Sequence, residues 1–124
     1  MKGLCLDAGA LIAIERGVPG VVRFVDEHVR EGRAVHVPAA VIAQVWRGGP
    51  RQARLSRFLR AEEISVIALD EEIAQLVGIL CGAMGTADIV DAHVALHARM
   101  HGFAVLTSDP EDLAAYGGLE IVTV

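Results

Sequence analysis

An α/β fold on a mainly parallel sheet is the class this sequence predicts, and three observations predict it. Short apolar runs alternate with helical segments from one end of the chain to the other. The strongest of those runs are continuously apolar, as in strands covered on both faces. The 124 residues are 53% hydrophobic with positive mean hydropathy, enough to bury a core and too few for a second domain. The expectation is one domain over residues 1–124.

Residues 3–7 read as a short buried strand that ends abruptly at Asp7. Residues 8–15 then read as a helix stopped by Gly17 and Pro19. The next helix runs over 19–30, with Val21, Val22, Val25 and Val29 on one side, Asp26, Glu27 and Arg30 largely on the other, and Gly32 terminating it. A second strand follows at 34–37. Pro38 suits the first turn of a third helix over 39–47, which Gly48 and Gly49 close. Pro50 opens a fourth helix over 51–60. Residues 64–69 form a third strand, 70–83 a mostly apolar helix closed around Gly85, and 88–100 a further helix. A fourth strand at 103–107, a short helix at 110–115 and a terminal strand at 121–124 complete the series. No internal repeat, low-complexity segment or linker interrupts it.

No apolar stretch approaches the ~20 residues that cross a bilayer, and Asp7 breaks any signal-peptide pattern, so a soluble, cytoplasmic protein with no membrane partner is expected. Cys5 and Cys81 sit in apolar segments without ligand spacing and are expected to be buried free thiols. The net charge of −5 conceals an asymmetry. Residues 1–60 carry ten Lys/Arg against five Asp/Glu, whereas residues 61–124 carry Arg99 alone against eleven acids. Some acids of the second half must be solvated, some paired with the first half, and some are candidates to be held by a metal. The basic half suits a polyanion.

Four aspartates carry the chemistry. Asp7 follows the first strand and reads equally as a helix N-cap or as a metal ligand at a strand tip. Asp88 and Asp91, three apart, project from one face of a helix. Asp88 is explained by its favourable place in a first turn, but Asp91, one turn further in among Ile89, Val90, Val94 and Ala95, needs solvent in a cleft or a partner. Asp109, in Thr107-Ser108-Asp109-Pro110, is by itself an ordinary turn starter. Together the four end two strands and face off one helix. Functional groups in open α/β sheets collect at the carboxyl ends of strands. Carboxylates gathered there repel one another unless a hard divalent cation joins them.

Three segments, Leu6-Asp7-Ala8-Gly9-Ala10-Leu11-Ile12-Ala13, Asp91-Ala92-His93-Val94-Ala95-Leu96-His97-Ala98 and Val105-Leu106-Thr107-Ser108-Asp109, closely resemble the signatures of PIN-domain ribonucleases, and within them the VapC-type toxins of bacterial toxin–antitoxin pairs. The resemblance covers the whole chain. It implies a PIN-like three-layer sandwich, with helices on both faces of a five-stranded, mostly parallel sheet. It further implies an endoribonuclease dependent on Mg²⁺ or Mn²⁺, a homodimer, and a small cognate antitoxin lying across the active groove. Asp7, Asp91 and Asp109 match the family's catalytic, metal-binding acids, and Asp88 an additional metal-binding acid. Where the family commonly places a glutamate after the second strand, this chain has Gln44, which brings an oxygen without the charge a second metal needs. Asp88 is the candidate to supply that charge, with Glu15 a weaker one. Thr107 and Ser108 are supporting candidates beside Asp109.

Arg47 and then Arg51, Arg54, Arg57 and Arg60, spaced by three, form an arginine face suited either to RNA phosphates or to solvent and the surplus acids. Arg47, Arg51 and Arg54 are the RNA-binding candidates. Aromatic residues are few, so recognition of a structured RNA by backbone and shape is expected rather than extended base stacking. His36, His93, His97 and His101 lack an HExxH pattern and are expected at the surface or an interface. Trp46 and Phe58 are expected in a core or an interface. Gln44 leaves a second reading, a PIN-like module that binds antitoxin or RNA with little turnover. A phosphotransfer receiver would need a lysine near the last strands, and an Asp-x-Asp phosphatase an acid at position 9; the chain has only Lys2, and Gly9.

Overall fold

The structure is a computed structural model and describes residues 2–124. Strands β1 (Gly3–Leu6), β2 (Ala34–Pro38), β3 (Ile64–Ile67), β4 (Ala104–Thr107) and β5 (Glu120–Thr123) form one sheet. Its order is β3-β2-β1-β4-β5 and every neighbouring pair is parallel. The helices are α1 (Ala8–Arg16), α2 (Pro19–Arg30), α3 (Ala39–Val45), α4 (Ala53–Arg60), α5 (Glu71–Met84), α6 (Ile89–His101) and α7 (Pro110–Ala114). The predicted α/β class and the alternation of elements are what the chain adopts.

The strand order matters most for function. From β1 the chain steps to β2 and then β3 on one side, and returns to place β4 on the opposite side of β1. The order therefore reverses between β1 and β4, and in open α/β sheets the crevice for a ligand lies at the carboxyl ends of such a pair. Asp7 follows β1 directly, and Asp109 comes two residues after β4.

β1 and β4 are buried along their whole length, which explains their unbroken apolar sequence, whereas Ser65, Val66, Glu120 and Thr123 of the edge strands are exposed. α6 runs against β1, β2 and β4, and α5 rests chiefly on α6. Hence α5 buries only Val77 and Cys81 despite its apolar sequence, leaving Leu76, Ile79 and Met84 exposed. Among the described residues no single helix is long and apolar enough to cross a membrane. Both cysteines are free and buried, as expected.

Some boundaries move, each for a local reason. β3 ends at Ile67 rather than 69, because the chain turns so that Asp70 can cap α5, its Oδ1 accepting from Ile73 N–H at 2.9 Å. α3 stops at Val45, with Trp46 extended and 41% exposed, while Phe58 packs partly buried against the core. The arginine segment opens with a 3₁₀ turn, Pro50–Gln52, before α4 begins at Ala53. Gln52 is buried there. Its Oε1 accepts from Arg47 and Gly48 N–H, both at 2.9 Å, and its Nε2 donates to Glu15 Oε1 at 2.6 Å and Val45 O at 3.0 Å. The expectation of surface or interface histidines fails for His93 and His97, which are buried within the chain; His36 is half-buried and His101 exposed.

Candidate active site

Asp7 is the fixed point of the site. It is 5% exposed, and it acts as the N-cap of α1, its Oδ1 accepting from Ala10 N–H at 3.1 Å. Its Oδ2 accepts from the hydroxyl of Thr107, the last residue of β4 and fully buried. The same hydroxyl oxygen accepts from Asp109 N–H at 2.8 Å. Thr107 thus bridges two acids about a hundred residues apart in sequence. The helix cap foreseen for Asp7 is the one the structure shows, at the carboxyl end of β1.

Gly9 lets the two segments approach. A Cβ there would lie 2.0 Å from Ser108 Oγ and 2.6 Å from Ser108 Cβ, so any larger residue drives the β4–α7 turn away from α1. Ser108 itself is exposed, and its side chain fills the space a Cβ at position 9 would need.

Asp88 and Asp91 enter from the start of α6. Asp88 is the N-cap, its Oδ1 accepting from Asp91 N–H at 2.9 Å, while its own N–H donates to Thr86 Oγ1 at 3.1 Å. The two line a cleft of about 330 Å³ with Thr86, Glu111, Asp112 and Tyr116. An adjoining hollow of about 250 Å³ contains Asp109 and shares Glu111 and Asp112 with it. Asp91 is pushed up to about 6, first by burial, then by the charge of Asp88 and the hydrogen bond with it, then by Asp112 and Asp7. Burial also raises Asp7, against the lowering effect of its hydrogen bonds from Thr107 and the α1 backbone, with Asp109 adding repulsion. Asp7 therefore feels Asp109, and Asp91 feels Asp88, Asp112 and Asp7. No ion pair relieves them: among the described residues the salt bridge is Arg33 with Glu31 at 3.1 Å, wholly within the first half.

The donors at this cleft are carboxylate and hydroxyl oxygens, the set hard divalent cations prefer. Crowded carboxyls with raised pKa are the electrostatic state a dication would relieve. Among the described residues, no three acidic, histidine or cysteine side chains already converge on one ion-sized point. Sharing an ion would require rotation. Asp109 is exposed and can turn, Asp88 is exposed and can turn by releasing Asp91 N–H, and Asp7 is held by both its cap and Thr107.

The remaining candidates lie elsewhere. Gln44 and Glu15 line a different hollow with Arg47 and Arg51, and none of the four aspartates belongs to its walls. Arg54 lies against Gly17, its Nη1 donating to Glu15 O at 3.3 Å, and faces a groove beside Arg23 and Arg30 of α2. Of the arginine face, Arg47 and Arg51 thus line one hollow and Arg54 another. Sequence reasoning missed Asp112 and Tyr116. The signal for Asp112 was available, since it stands three residues from Asp109, the same spacing as Asp88 to Asp91. Tyr116 had none, because only the packing of the segment after α7 beside α6 brings it to the cleft.

Comparison with known proteins agrees with this fold. Three solved structures share the fold: VapBC2 from Rickettsia felis bound to a promoter DNA fragment (TM-score 0.75, 13% identity, 98% of each chain covered), DNA-bound VapBC from Salmonella typhimurium (0.70, 17%, 99% of this chain and 98% of that one) and FitAcB from Neisseria gonorrhoeae (0.63, 19%, 95% of each). No curated protein sequence matches significantly. The family description of the PIN domain matches residues 4–119. PIN domains are generally nucleases and generally use divalent metal ions. On that match over nearly its whole length, the chain belongs to the PIN-domain family.

Proposed function

We propose that this protein is a Mg²⁺- or Mn²⁺-dependent endoribonuclease, the toxin of a toxin–antitoxin pair, acting in the cytoplasm on structured RNA. The observation that carries this reading is the Thr107 hydroxyl joining Asp7 to Asp109 at the β1/β4 switch point, with Asp91 in electrostatic contact with Asp7. Asp7, Asp88, Asp91 and Asp109 would hold the metal. When bound, it would polarise a water and neutralise the scissile phosphate as charge develops. Asp7 is the immobile carboxylate, capped and bridged, about which the exposed acids turn. Asp91 or Asp109 orients the attacking water. Asp91, shifted furthest upward, is the better proton holder near neutrality.

Arg47 and Arg51 from one hollow and Arg54 from another supply the grip on RNA phosphates. The toxin role is supported by the VapBC and FitAcB neighbours, which are toxin–antitoxin assemblies, and a small cognate antitoxin is the proposed partner. A homodimer is supported by Leu76 and Ile79, the latter 70% exposed, three apart on α5. Gln44 in place of the family's glutamate, and acids that do not yet converge, favour one second reading: a PIN-domain module that binds RNA or antitoxin with little turnover.

The two readings separate when the purified chain is incubated with total RNA and Mg²⁺ or Mn²⁺, with and without EDTA. Cleavage that EDTA stops and that Asp7→Asn or Asp91→Asn abolishes is expected. Cleavage unchanged in both variants rules out this site, and RNA binding without cleavage in the unmodified chain selects the second reading. Arg47→Ala with Arg51→Ala is expected to flatten the salt dependence of RNA affinity by about two phosphate contacts.

A further inference from the structure

Four histidines that the acidic cleft does not use gather along the rest of α6. His93, His97 and His101 recur every four residues, so their rings share one side of the helix. His36 meets them from β2. Its Nδ1 lies 2.8 Å from His97 Nε2, and the His97 and His101 ring centres are 4.1 Å apart. Phe103 packs edge-on against His36 at 4.8 Å. The four imidazoles open onto a hollow of about 230 Å³ whose other walls are apolar.

Packing alone does not account for this group. His93 is 1% exposed, and neither of its ring nitrogens has a hydrogen-bond partner. A buried polar atom left unpaired is costly, and an aliphatic residue would fill the same space without that cost. Between His36 and His97 two nitrogens face each other, so one ring must donate its N–H to the other.

We propose that this hollow is a second metal site, taking a borderline divalent transition ion such as Zn²⁺ or Co²⁺ on His36, His97 and His101, with a water as the fourth ligand and the unpaired His93 in the same wall. Imidazole favours these ions over Mg²⁺, and paired histidines four apart on a helix are an established zinc-binding arrangement. Zn–N bonds of about 2.0–2.1 Å in tetrahedral geometry set ligand nitrogens roughly 3.3 Å apart, so the His36–His97 pair must open by only about 0.5 Å. No three of the rings converge yet. His101 is exposed, and the 2.9 Å contact of its Nδ1 with His97 O leaves Nε2 able to swing in. The N–H between His36 and His97 moves to the far nitrogen of the donating ring, so neutral rings bind the ion without losing a proton. Asp70, close enough to act on His93, favours a cation there. Such an ion would pin the far half of α6 to β2, steadying the helix whose first turn carries Asp91. The site does not depend on the nuclease reading.

The test uses the untagged full chain, stripped with EDTA and titrated with CoCl₂ and ZnCl₂ by calorimetry and visible absorption, with MgCl₂ for comparison. One tightly bound Co²⁺ per chain is expected at this site, with the visible bands of a four-coordinate site rich in nitrogen, displaced by Zn²⁺ and not by Mg²⁺, apart from any weaker ion on the aspartates. Binding should persist in Asp7→Asn/Asp91→Asn, weaken at least tenfold in His101→Ala, and vanish in His97→Gln. Because His101 is exposed, its variant tests the site even where His97→Gln fails to fold. Absence of Co²⁺ and Zn²⁺ binding overturns the proposal. So does binding that His101→Ala leaves intact, or that the aspartate variant removes.

Discussion

Replacing Thr107 with valine keeps the shape of a fully buried side chain and deletes one oxygen. That oxygen donates to Asp7 Oδ2 and accepts from Asp109 N–H. A hydrogen bond to a charged group contributes about 1.5–3 kcal/mol, against roughly 0.5–1.5 kcal/mol for a neutral one. Asp109 is exposed, so its N–H can turn to water and its loss is small. Asp7 is buried and has no such recourse. The expected cost is therefore about 2 kcal/mol, set mainly by Asp7. For a domain of this size that corresponds to roughly 6–10 °C in Tm.

The pH dependence follows from the same bond. Thr107 holds the Asp7 carboxyl down against the upward push of burial, so its removal lets Asp7 rise further. The valine variant is then penalised most where wild-type Asp7 is ionised, and the gap narrows as pH falls through the raised Asp7 value. Thermal unfolding followed by circular dichroism at several pH values measures both effects, and Thr107→Ser, which keeps the oxygen, should recover most of the loss. A valine variant melting within about 1 °C of wild type at neutral pH would refute the reasoning, because the bridge would then contribute nothing.

Two other outcomes are expected. Asp91 stands at about 6 in the folded chain, above the ordinary carboxylate range, so its contribution to stability is present at low pH and lost as pH rises through about 6. Asp91→Asn should accordingly melt above wild type at alkaline pH while abolishing cleavage. The difference should close on acidification, and melting curves across that range check the sign. Gly9→Ala sets a Cβ 2.0 Å from Ser108 Oγ and should cost about 1–3 kcal/mol by overpacking. Adding Ser108→Gly should restore much of it, as urea unfolding would report.

Much of the candidate site was legible because it rests on local rules. Asp88 and Asp91 share a helix face by spacing alone, and Asp7 and Asp109 follow short apolar runs that read as strands. Less was legible where long-range packing decides. The apolar sequence of α5 does not disclose that α5 rests on α6 rather than on the sheet, leaving Ile79 in solvent. Gln52 reads as an ordinary polar residue, yet four hydrogen bonds make it the tie between α1 and the loop after α3. The histidines of α6 share a face in any helix. That this face is turned onto β2, where His36 waits, depends on how the helix rolls against the sheet.

By itself the sequence determined the α/β class, the order of elements and the four candidate acids, since hydrophobic period and turn chemistry are properties of neighbouring residues. Only the tertiary structure decided that β4 lies beside β1, that Thr107 joins Asp7 to Asp109, and that Asp112 and Tyr116 reach the cleft. Those are contacts between segments far apart in the chain, and they exist only once the sheet has chosen its strand order.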